Sequence, residues 1–141
     1  MPVVAAVDQS ERAQAVIRAA RTLADDAGVS LHVVHVGDVG VPSPEGGYDA
    51  DHERNLSTQK ARQMARQIAD DVDGVDEFEP VGLAGNTVEE LIEYSKAQDA
   101  AYIVVSARKR PPFGQAVFGS VTQSLLLNAD RPVVAVPSDR E

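Results

Sequence analysis

Two polar sites stand directly behind apolar runs, and their residue types suit an anionic ligand. Asp8 follows PVVAAV (Pro2 to Val7), and SARKRPPFGQAVFGS (Ser106 to Ser120) follows the run Ala101 to Val105. The second stretch ends in Gly119-Ser120, just ahead of a helical pattern. The free N–H groups and dipole of a helix start favour an anion. Gly119 lets a phosphate approach the backbone, and the Ser120 hydroxyl can bond a phosphate oxygen or simply cap the helix. Arg108, Lys109 and Arg110 add positive charge, which reads either as an anion contact or as solvated surface. Asp8 can accept from a ribose hydroxyl or an adenine amino group, or it can cap the helix that follows.

Those sites need elements to hold them. Pro2 to Val7, Leu31 to Val36, Glu77 to Ala84, Tyr102 to Val105 and Val133 to Val136 read as strands. Between them lie helical patterns. The first follows Ser10 as N-cap and ends at Gly28, and the second runs from about Arg54 to Val72. The third begins at the capping box Asn86-Thr87-Val88-Glu89, and the fourth covers Gly119 to Asn128. Gly37 to Glu53, rich in glycine and proline, reads as a long loop, either functional or merely mobile. The order βαβαβαβαβ predicts an α/β fold with three α/β/α layers around a five-stranded parallel sheet. The predicted strand order is the Rossmann-like 3-2-1-4-5. It puts Pro80, which lacks a ladder donor, on an edge strand. Winding then reverses between strands 1 and 4, where such sheets bind ligands, so Asp8 and the Ser106–Ser120 stretch should share one crevice.

Composition narrows the function classes. The 141 residues fit one domain, 1–141, and contain no cysteine, which excludes disulfides, thiolate metal sites and a cysteine nucleophile. A net charge of −9 argues against nucleic acid and anionic membranes as partners. The first residues read as neither signal peptide nor membrane span. A cytoplasmic protein is compatible with all of this. Neither a Walker loop nor a G-x-G-x-x-G or G-x-S-x-G motif is present. His32 and His35 lie three apart on a strand, so they face opposite ways and cannot share a metal. No nucleophile, base and orienting group come together.

Four segments carry a resemblance: AAVDQSERA, LHVVHV, GNTVEELIEYSKAQDAAYIVVS and FGSVTQSLLLNADRPVVAV. Over Val3 to Val136 the chain resembles the universal stress protein (UspA) family. That family's nucleotide motif is Gly-x-x-Gly, nine residues, then Gly-Ser or Gly-Thr. The spacing is kept here as Ser106, Lys109 and Gly119-Ser120, with the two leading glycines replaced. The resemblance implies a stress-response regulator that binds ATP or another adenine nucleotide, with Mg2+ left open and at most a weak ATPase activity. Val7 and Asp8 would line adenine and ribose, and the Val36 backbone would meet the base. Val105 and Ser106 would flank ribose and phosphates, Gly119, Ser120 and Val121 would hold the phosphates, and Lys109 would supply charge. It also implies a homodimer through Val133–Val136. The alternative within the same fold is a nucleotide-free dimeric interaction module. If positions 106 and 109 need positive φ, each side chain costs on the order of 1–2 kcal/mol in strain, so the loss of the two glycines is expected to weaken or alter nucleotide binding.

Overall fold

The strands alternate, and the alternation sets the layers. In the computed structural model, which describes residues 1–38, 50–110 and 115–138, the chain runs β1 (Val3–Ala6), α1 (Arg12–Ala27), β2 (Leu31–Gly37), α2 (Ala50–Asp70) and β3 (Glu79–Ala84). It continues α3 (Thr87–Ala97), β4 (Tyr102–Arg110), β5 (Gln115–Val117), α4 (Ser120–Asn128) and β6 (Val133–Ser138). Val3, Ala5, Leu31, Val33 and Val104 point to the face covered by α1 and α2. Val4, Val34, Ile103 and Val105 point to the face covered by α3 and α4. Both faces of the sheet are therefore apolar, as buried parallel strands require.

Five parallel strands lie in the order β3-β2-β1-β4-β6, which is the 3-2-1-4-5 arrangement expected from the sequence. Pro80 sits on edge strand β3, opposite Val33. Helix ends also fall where their chemistry puts them. Gly28 takes φ 68 after α1, and its N–H returns to the Ala24 and Asp25 carbonyls. The Asn86 side chain accepts from the Glu89 amide at 3.0 Å and starts α3.

Several expected boundaries change. The residues from Ser106 to Arg110 are not a loop: β4 continues through them. On one edge β6 runs on beside it, with Ser106 opposite Val136 and Arg108 opposite Ser138. On the other edge β5 pairs antiparallel, with Arg108 opposite Val117. That second edge is the one β1 occupies lower down, so β5 lies beyond the end of β1. These partners satisfy the backbone of the segment, which is why a polar sequence remains a strand. The expected 37–53 loop is shorter than the composition suggests, because Gly37 closes β2 and α2 begins at Ala50. Its remaining part, residues 39–49, and Pro111-Pro112 lie outside the described residues. Ser10 does not cap α1 with its side chain: Glu11 is the N-cap, and Asp8 Oδ1 accepts from the Ser10 amide at 2.9 Å. Among the described residues no helix is long and apolar enough to cross a membrane.

One glycine is required by packing. A Cβ on Gly82 would overlap the Thr58 carbonyl oxygen and the Arg62 amide of α2. The missing side chain thus lets the α2 backbone lie directly on β3. Gly82→Ala is expected to destabilise the fold by about 2–3 kcal/mol, as overpacking against rigid backbone does. Gly119→Ala, where an added Cβ meets nothing within 4 Å, serves as the matched control. Thermal melts of the two variants check this, and equal melting temperatures would remove the close-approach explanation.

Candidate functional site

Where β1 ends and β4 runs on past it, a cleft opens between α1 on one face of the sheet and α3 and α4 on the other. It has two abutting chambers. The inner one, about 220 Å³, is walled mainly by apolar side chains, among them Val7, Val16, Val34, Leu91 and Val105. The outer one, about 360 Å³, is walled by Arg12, Arg108, Gly119 and Ser120. Asp8, Ser106, Val121 and Thr122 border both.

Of the residues singled out from sequence, Val7, Asp8, Val36, Val105, Ser106, Gly119, Ser120 and Val121 all line this cleft. Lys109 belongs to β4, and its side chain lies outside the described residues. Ser106 is extended within β4, and Asp99 is the one non-glycine residue at positive φ among the described residues. The strain entertained for serine at position 106 is therefore absent. Gly119 is the N-cap of α4, with φ −70 and no side-chain cap bond, and Ser120 is the first helical residue. The alternative role for the Ser120 hydroxyl, capping the helix, is thereby removed. The hydroxyl is exposed at the helix's positive end.

Asp8 is held on one side, where Oδ1 accepts from the Ser10 amide. Burial pushes its carboxyl up, but the Ser10 side chain and amide, then Arg12 and His35, outweigh that and hold it below the ordinary value of 3.8. It is therefore an ionised acceptor at neutral pH. Thr122 Oγ1 donates to the Ser106 carbonyl at 2.9 Å, which ties the first turn of α4 to β4 and fixes the gap between them.

Sequence reasoning passed over three of these wall residues. Thr122 reads as one more residue of a helix start, and its bond to Ser106 becomes visible once α4 is docked on β4. Arg12 reads as a solvated helix residue, yet it is 9% exposed. Its one mark in the sequence is its place at the start of α1, shortly after Asp8. His35 reads as a packing or surface histidine. In the structure it lines the inner chamber, and its Nδ1 lies 2.9 Å from the Val7 carbonyl oxygen. A carbonyl accepts, so Nδ1 carries the proton. His32 faces the other way, with Nδ1 2.6 Å from the Tyr94 hydroxyl on α3. No group of three or more His, Asp or Glu side chains suits a metal ion among the described residues.

Burial lowers the His32 pKa from 6.5, although Glu79 opposes the shift. The folded state therefore binds this proton less readily than the unfolded chain does. The contribution is present above about pH 6.5 and is lost as pH falls through that value toward the folded pKa. Melting temperature followed from pH 7.5 to 5 should fall more steeply for the wild type than for His32→Gln. Parallel curves would show that His32 is not the titrating group.

The comparisons with known proteins agree with this geometry. Residues 1–137 match the universal stress protein family. A universal stress protein of Mycolicibacterium smegmatis (strain ATCC 700084 / mc(2)155) is 41% identical over 58 residues, covering 41% of this chain and 43% of that protein, so the match spans less than half of the relative. The solved universal stress protein from Archaeoglobus fulgidus is 30% identical with a TM-score of 0.63, covering 96% of this chain and 98% of that one. The structure of the universal stress protein from the same organism in complex with dAMP is 28% identical with a TM-score of 0.58, covering 96% and 97%.

Proposed function

Because the chain belongs to the universal stress protein family, we propose that it is a cytoplasmic stress-response regulator that binds an ATP-like adenine nucleotide between β1 and β4. The observation that carries this reading is the change of character along one cleft, apolar inside and cationic outside. A planar base suits the inner chamber and charged phosphates suit the outer one. The related Archaeoglobus fulgidus structure in complex with dAMP supports the ligand class.

The roles follow from position. Val7, Val36 and Val105 enclose the base. Asp8, ionised, accepts from ribose hydroxyls. The α4 amino end, with Gly119, Ser120 and Val121, holds phosphate oxygens through N–H groups. Arg108 and Lys109 supply positive charge. In this reading Ser106 and Lys109 stand at the leading glycine positions of the family motif. Ser106 is extended, so the exchange alters which donors meet the phosphates without straining the backbone there. We read the cleft as a binding site and not as a catalytic one.

The same reading makes the protein a homodimer through β6. Among the described strands β6 pairs with β4 alone, which leaves one row of its N–H and C=O groups open along Val133–Val136.

Two measurements test these proposals. Freshly purified protein is denatured and assayed for released nucleotide, and the melting temperature is followed with ATP. Saturation near 100 times Kd should stabilise the wild type by about 2.7 kcal/mol. Gly119→Val should keep the fold, since φ is −70 and the space beyond is open, and should abolish the shift. A wild type with no bound nucleotide and no shift at millimolar ATP would leave the nucleotide-free interaction module as the reading. For the dimer, light scattering should give twice the 15.0 kDa chain mass, and a single-chain mass at all concentrations would overturn it.

A further inference from the structure

Arg12 is a buried cation without a close partner. The residue is 9% exposed, and its nearest carboxylate oxygen, Asp8 Oδ2, lies 3.9 Å away, beyond hydrogen-bond reach. Among the described residues no acceptor forms a hydrogen bond with its guanidinium. The Asp8 carboxylate is itself divided: Oδ1 takes the Ser10 amide, and the side chain keeps 61% of its surface in contact with solvent. A guanidinium carries five donors in a fixed fork, and at the outer chamber these meet solvent rather than an acceptor of the protein. Arg12 borders that chamber opposite the amino end of α4. Arg108 borders it too, and among the described residues Asp8 is the one acid in its wall. A bidentate anion matches what Arg12 lacks.

We propose that Arg12 selects phosphorylated ligands by exchanging its loose contact with Asp8 for a ligand phosphate. The exchange leaves the Asp8 carboxylate free for the hydroxyls of the same ligand. Asp8 thus competes with the phosphate for Arg12 until the phosphate arrives. The inference rests on the nucleotide reading for the identity of the full ligand, but the anion contact is defined by Arg12 itself and can be measured apart from it.

Calorimetric titrations with ATP, adenosine and inorganic tripolyphosphate test it on the full chain. Arg12→Met keeps the buried stem and removes the charge. It should weaken ATP and tripolyphosphate at least roughly 10-fold, the size of a charge-assisted contact, and leave adenosine within about 2-fold. Asp8→Asn removes the competitor and should strengthen tripolyphosphate about 2- to 5-fold, the range of an exposed ion pair. That gain should vanish in the double variant. Removing the Asp8 charge lowers repulsion of any anion by itself, so the discriminating readout is the loss of that gain in the double variant. If Arg12→Met binds ATP as tightly as the wild type, the inference falls and the nucleotide reading stands. If the wild type binds tripolyphosphate through Arg12 but shows no preference for ATP, the nucleotide reading falls and the inference stands. No binding of either anion overturns both. Should Arg12→Met fail to fold, Arg12→Lys, which keeps the charge but loses the fork, takes its place: it should weaken tripolyphosphate, and an affinity equal to that of the wild type overturns the proposal.

Discussion

The handedness of parallel crossovers is the constraint from which the rest of this molecule follows. A right-handed connection must put its helix on one face when the chain steps outward in one direction and on the other face when it steps the opposite way. From β1 the chain steps toward β3 and lays α1 and α2 on one side. It then returns past β1 to β4 and lays α3 and α4 on the other. The helices α1 and α4 beside neighbouring strands β1 and β4 therefore lie on opposite faces, and neither fills the gap at the end of β1. The cleft is thus a result of topology before any side chain is chosen.

Side chains then decide what the gap holds. Alternation assigns Val7 and Val105 to opposite faces of the sheet, yet both border the inner chamber, because the cleft lies at the strand ends where the two cores meet. Farther out, the walls become the amino end of α4 and the arginines. Thr122, through its bond to the Ser106 carbonyl, keeps α4 registered on β4, so the helix end and the strand face each other at a fixed separation.

Much of this was legible in the residues. Proline at position 80, glycine at position 28 and the Asn86–Glu89 pair each dictate a backbone outcome locally, and each outcome appears in the structure. The meeting of Asp8 with Gly119-Ser120 was also legible, since it depends on strand order, which the β/α alternation and Pro80 nearly determine. What stayed hidden depends on contacts between distant segments. The extension of β4 through Arg110 is set by partners contributed by β5 and β6, and nothing in Ser-Ala-Arg-Lys-Arg itself favours a strand. The burial of Arg12 and the turn of His35 toward Val7 likewise arise only once α1 and β2 are packed beside β1.

The two rims of the sheet are unlike. At one rim Pro80 offers no N–H, and α2 presses its own backbone against Gly82. At the other, β6 presents an ordinary ladder. A sheet with one receptive border and one refractory border cannot propagate sideways. The dimer proposed above would use up the receptive border of each copy and leave the two β3 borders outermost. With one donor missing at Pro80, β3 is the poorer template of the two for a further strand.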